Sequence, residues 1–103
     1  MSDELVSKIK SRFDHATQKK LLREKYSSKL TFAHAGGMWK ASPELATQCN
    51  LCLANGNFNP VFEDLYSTPV KVDAEELKNL TLQRWQEQMN AWLDEHEELS
   101  KQR

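Results

Sequence analysis

The sequence predicts an α+β fold, with two long outer helices packed antiparallel around a small βαββ middle. Three observations carry that expectation. Leu82, Trp85, Met89, Trp92, His96 and Leu99 recur at spacings of 3, 4, 3, 4 and 3, the 3.5-residue rhythm of helices packed side by side. Residues 2 to about 28 repeat apolar residues at helical spacing. Between these segments the chain breaks into short alternating runs separated by glycine, proline and asparagine, as strands and turns do.

The first helix is expected over residues 2–28. Ser2 can cap it, and Asp3 and Glu4 suit the positive end of a helix dipole. Leu5, Ile9, Phe13 and Ala16 share one face, and Leu22, Tyr26 and Leu30 continue it on a 3.5-residue period, which favours a supercoiled partner helix. Arg12, Lys19 and Arg23 fall at or beside the seam, where long basic side chains can lie along an apolar neighbour and reach Glu87, Asp94 or Glu95.

Residues 30–72 form the compact middle. Leu30, Phe32 and His34 alternate like a short strand, and Gly36-Gly37 supplies a turn. Met38-Trp39-Lys40 reads either as a returning strand or as a hook that buries Trp39. Ser42-Pro43-Glu44 opens a helix with a cap, a preset first φ and a charge facing the dipole. Asn55-Gly56-Asn57 closes it with residues that tolerate a left-handed conformation. Val61 to Val72 reads as a hairpin turning at Ser67-Thr68-Pro69. Asp73 and Glu76 then form a capping box for the long helix of residues 73–101, with Trp85, Met89, Trp92 and Phe13 as the densest packing of the molecule.

The 103 residues suit a single domain, residues 1–103, with 39% hydrophobic and 28% charged residues. No apolar run approaches the length of a membrane span. The acidic start Met-Ser-Asp-Glu does not read as a signal peptide, so the expected compartment is cytoplasmic. The net charge of −1 is unevenly spread. Residues 1–40 hold nine Lys or Arg against four Asp or Glu, for +5, and residues 41–103 hold five against eleven, for −6. Two halves that attract each other are the simpler reading, and a basic arm for nucleic acid the alternative.

Candidate chemistry is sparse. Cys49-Asn50-Leu51-Cys52 has the spacing of half a zinc site, but His15, His34 and His96 lie far from it in sequence. The cysteines fall deep in a helix on its apolar face, not at the N-terminus where a redox pair gains its low thiol pKa. His34 beside small residues is a candidate for meeting a ligand, His96 fits a packing position, and Glu63 with Asp64 suits a solvated strand face better than a metal. Gly36-Gly37 lacks the remaining residues of a phosphate loop. Lys8, Lys10, Arg12, Lys19, Lys20, Arg23, Lys25 and Lys29 spread around the first helix without forming one stripe, unlike most nucleic-acid binders.

Tyr66-Ser67-Thr68-Pro69-Val70-Lys71-Val72-Asp73, the helix carrying Trp85-Gln86-Glu87-Gln88-Met89-Asn90-Ala91-Trp92, and the segment from Gly36 to Leu45 together resemble small accessory proteins of tailed bacteriophages. The resemblance covers about a third of the chain. It implies a setting, the bacterial host cytoplasm or the virion, and brings no catalytic residues with it.

The residues favour a non-enzymatic protein–protein interaction or assembly protein. Its interaction residues would be Trp85, Met89, Trp92, His96, Leu99 and Phe13. The partner would be a second copy, as a homodimer or higher assembly, and, given the resemblance, a host or virion protein. Nucleic-acid binding through Lys8, Arg12, Lys19, Lys20 and Arg23 is the first alternative. A small metal or redox protein using Cys49 and Cys52 is the second. Neither a cofactor nor a membrane partner is expected.

Overall fold

A computed structural model describes the backbone of residues 2–101 and the side chains of residues 14–101. The order is α1 (Ser2–Ser28), β1 (Thr31–His34), β2 (Gly37–Lys40), α2 (Pro43–Ala54), β3 (Val61–Glu63), β4 (Pro69–Lys71) and α3 (Ala74–Lys101). The class is α+β, as expected, but the middle is ββαββ. Met38-Trp39-Lys40 returns as a full strand, antiparallel to β1, with Phe32 opposite Trp39. The second sheet pairs β3 with β4, Phe62 opposite Val70.

The first turn lies one residue earlier than Gly36-Gly37 suggested. His34 faces Gly37 across the ladder, so Ala35 and Gly36 form a two-residue loop, with φ of 54° and 82°. A hairpin of this length takes left-handed residues because their twist matches that of the strands. Alanine there is strained by its Cβ. Ala35→Asn is therefore expected to stabilise the fold by about 0.5–1 kcal/mol, read as a higher midpoint in calorimetry.

Gly37 serves packing instead of turning. A Cβ at this position would lie 3.1 Å from Trp39 Cζ2, 3.1 Å from Val70 Cγ2 and 3.2 Å from Asp64 Cβ. A Cβ there would need these side chains to give by a few tenths of an ångström, so glycine suits the close approach of the two hairpins.

Local signals set α2. The Ser42 hydroxyl accepts a hydrogen bond from the Leu45 N–H at 3.1 Å, and Pro43 follows at the first helical position. Gly56, with φ of 77°, leaves the helix through the left-handed region. At the start of α3, Asp73 Oδ1 accepts from the N–H groups of Glu75 and Glu76 at 3.1 Å each. The Glu76 carboxylate, instead of reaching back to cap the helix start, lies 3.9 Å from His34 Nε2 of β1.

The core gathers Phe32, Trp39, Phe62 and Val72 from the hairpins, Cys49 from α2, and Ala74 and Leu77 from α3. Its largest fully buried side chains are Leu77, Val72, Thr81 and Cys49. This corrects the expectation that the tryptophan seam holds the densest packing. Trp85 and Met89 only flank this core, half-buried, and α3 packs chiefly on α2. The buried residues of α2 and of the early turns of α3 include the small side chains of Ala46, Cys49, Ala74 and Thr81, which suits close packing of the two helices. The molecule measures 68 × 24 × 18 Å, its long dimension far exceeding the thickness of one packed layer.

Candidate functional site: the groove between α1 and α3

Beyond the core, a polar clasp joins α1 to α3 among the described residues. Lys25 Nζ reaches Glu95 Oε1 at 2.9 Å, and the Tyr26 hydroxyl donates to the same oxygen. The ammonium groups of Lys25 and Lys29 sit 5.1 and 5.0 Å from the Tyr26 ring centroid, within cation–π range. Tyr26 itself is buried.

The clasp closes one side of the helix pair and leaves the other open. At 100° per residue, Lys25 lies about 120–160° round α1 from Lys19, Lys20 and Arg23, and Glu95 lies about 120° round α3 from Met89. On that open side lies a groove of about 500 Å³. Its α1 wall is formed by Lys19, Lys20, Arg23, Tyr26, Ser27 and Leu30, and its α3 wall by Met89, Trp92 and His96. One wall is therefore cationic and the other aromatic and apolar. The indole N–H of Trp92 is buried without an acceptor among the described residues.

The groove unites two sets of residues that the sequence left apart. Met89, Trp92 and His96 of the seam line it, together with three of the basic residues, Lys19, Lys20 and Arg23. Those cations, which seemed scattered around the helix, share a wall because the opposite side of α1 is taken by the clasp. Trp85 is half-buried against the core, and Leu99 is half-buried near the end of α3. The side chains of Lys8, Arg12 and Phe13 lie outside the described residues. Glu95 receives Lys25 and Tyr26 instead of the expected Lys19 or Arg23. Tyr26 was legible only as an apolar seam residue, and its hydroxyl carried no sequence signal.

The other candidates resolve into structural roles. Cys49 is buried in the core, and burial pushes its thiol up to about 11, with the neighbouring Cys52 adding to the rise. Such a thiol stays protonated and unreactive at neutral pH. Cys52 is half-buried beside it, and both are free. Among the described residues no three or more His, Cys, Asp or Glu side chains converge as metal ligands. Asp64 is not on a solvated face: it is buried, and its carboxylate accepts three backbone N–H groups, from Met38, Tyr66 and Thr68. Among the described residues no helix is long and apolar enough to cross a membrane.

The clasp makes a pH prediction. The Tyr26 hydrogen bond, and then the Lys25 one, hold the Glu95 carboxyl below its ordinary value, while the Glu95 carboxylate raises Tyr26 and Lys25. A lowered carboxyl stabilises above its unfolded pKa and loses that contribution as pH falls through the folded one. A raised phenol or ammonium stabilises below its unfolded value and loses it as pH rises through the folded one. The α1–α3 contact is thus expected to hold between about pH 5 and pH 9 and to weaken on both sides. Thermal midpoints measured across this range should form a plateau, lowered by Glu95→Gln with a shallower alkaline fall. An unchanged alkaline limb would show that the clasp does not form.

Comparison with protein-family models, with curated proteins and with solved structures yields no match.

Proposed function

We propose that this chain is a non-enzymatic protein–protein interaction or assembly protein that works through the α1–α3 pair. The observation carrying this reading is the open groove, where Met89 and Trp92 stand half-buried opposite Lys19, Lys20 and Arg23. Two helices alone do not cover an aromatic seam of this length, and a helix laid into such a groove would bury it. The motif resemblance to tailed-phage proteins supports a bacterial host or virion setting for the partner.

The test is affinity capture from bacterial lysate with wild type and Met89→Glu, followed by hydrogen exchange on the captured complex. The expected result is a partner retained by wild type and lost by the variant, with new protection along α3. Capture that survives Met89→Glu without protection of α3 overturns the reading.

A second reading is favoured by the convergence of three cations beside the half-buried Trp92, a combination that can hold single-stranded nucleic acid by phosphate contact and base stacking. It predicts oligonucleotide binding that weakens steeply with salt. The exposed acidic residues Glu87, Asp94 and Glu98 lie on the side of α3 away from the groove, so they oppose a polyanion there only at long range. Fluorescence anisotropy at two salt concentrations separates the two readings.

A further inference from the structure

We infer that the groove, when no partner helix lies in it, is a binding site for a small amphipathic anion: a single acyl chain ending in a carboxylate. This goes beyond the interaction reading and does not depend on it.

The first support is the grading of the groove along its length. Its base is apolar, because Leu30 belongs to the core and Met89 packs against that core. Lys19 and Lys20 stand about 10–12 Å from Ser27 along α1, and His96 about 10 Å from Met89 along α3. Since α1 runs towards the core and α3 away from it, these residues mark the same outer end. Tyr26, Trp92 and Arg23 lie between. A ligand seated here meets apolar walls at the base and positive charge at the mouth, as a molecule with a head and a tail requires.

The second support is size. The α1 wall runs from Lys19 to Leu30, about 16 Å. The volume of about 500 Å³ spread over that length gives a section of about 30 Å². That is the width of one extended chain. The volume itself falls in the ordinary range for small-ligand sites.

The third support is polarity. Three cations line the groove and no carboxylate does, and Glu95 is already held by Lys25 and Tyr26. The Trp92 indole N–H is buried without an acceptor among the described residues, and a donor left unmet is costly. Cations and an unmet donor select an anion that brings acceptors. The apolar base selects one that also carries a chain.

The test is a titration of isotope-labelled wild type with sodium dodecanoate, kept below its micelle-forming concentration and followed by nuclear magnetic resonance. The Trp92 indole signal is assigned by its loss in Trp92→Phe. Saturable binding is expected, half-complete on the order of 10–100 µM. It should move the Trp92 signal and leave in place that of Trp39, whose N–H is bonded to the His34 carbonyl. Dodecyltrimethylammonium keeps the chain and reverses the charge, and hexanoate keeps the charge and shortens the chain. Each is expected to bind at least roughly tenfold more weakly. The neutralised variant Lys19→Gln, Lys20→Gln, Arg23→Gln is expected to lose roughly tenfold in dodecanoate affinity and its preference over the ammonium probe. Circular dichroism checks its helices, and Arg23→Gln alone replaces it if they are lost. Phosphatidylglycerol vesicles offer the same chemistry on a membrane, and wild type is expected not to sediment with them.

No saturable dodecanoate binding up to about 1 mM overturns the site. Binding that leaves the Trp92 signal unmoved, equal affinity for the ammonium probe, or unchanged affinity in the variant does so too. Sedimentation with the vesicles overturns the free anion as the ligand. The capture experiment with Met89→Glu judges the interaction reading separately.

Discussion

Asp64→Ala is expected to abolish the cooperative thermal transition near ambient temperature, and Asp64→Asn to lower its midpoint by an intermediate amount. Asp64 is 8% exposed, and its carboxylate serves two structures at once. Its Oδ1 accepts from Tyr66 and Thr68 N–H at 2.9 Å each, closing the β3–β4 turn. Its Oδ2 accepts from Met38 N–H at 3.0 Å, while the Leu65 N–H donates to the Met38 carbonyl at 2.9 Å, so one strand of the first hairpin is locked to the second turn. Alanine strands three backbone donors, each costly to leave unmet once buried. Asparagine with its oxygen at Oδ1 keeps both turn bonds but points an N–H₂ at the Met38 N–H. The graded order wild type, Asn, Ala thus separates closing the turn from joining the hairpins. Equal midpoints for the two variants would show that the Met38 contact does not contribute. The backbone bonds to Thr68 and Met38 also hold the Asp64 carboxyl below its ordinary value. Its contribution is therefore present above the unfolded carboxylate range and lost as pH falls through the folded pKa.

Leu77→Ala is expected to destabilise by about 2–5 kcal/mol, the range for deleting a fully enclosed leucine. Leu77 is 0% exposed and lies where α3 meets the shared core. Against a total stability of about 5–15 kcal/mol for a domain of ordinary size, that is a large fraction. Leu80→Ala is the control. Leu80 is 36% exposed three residues on, and its loss is expected to cost less than about 1 kcal/mol. Urea denaturation followed by tryptophan fluorescence measures both. A similar loss at the two positions would place the core elsewhere along α3.

The two leucines show how far periodicity reaches. The expected seam began at Leu82, and its 3.5-residue rhythm found the correct helix and nearly the correct face. Yet Leu82 is 45% exposed, while Thr81, which the rhythm passes over, is fully buried. A hydrophobic rhythm reports which side of a helix faces other protein, averaged over several turns. It does not report where along the helix that protein ends. The core covers only the early turns of α3, where α2 and the hairpins lie, and further along one helix replaces them.

The groove was legible in parts. Trp92, His96, Lys19, Lys20 and Arg23 could each be named from the chain, but their meeting could not. Tyr26 and Glu95 are 69 positions apart, and the side of α1 left open follows from their bond. Asp64 was misread because an acidic residue in a strand–turn segment carries no mark of burial. Its Met38 partner is 26 positions away.

The second hairpin was legible as a hairpin, although its first strand ends at Glu63 and Pro69 already pairs in β4. What the sequence by itself determined is the set of elements with local causes: the extent of α1, the Ser42 cap and Pro43 start of α2, its exit at Gly56, and the Asp73 cap of α3. Each follows from interactions within about four residues, where side-chain chemistry and backbone preference act directly. Only the tertiary structure decided which apolar residues became core, that Gly37 is a contact and not a turn, that Asp64 joins two hairpins, and that three cations share a wall with Met89 and Trp92. Those outcomes depend on surfaces brought together from distant parts of the chain, where burial and pairing are settled by what stands opposite.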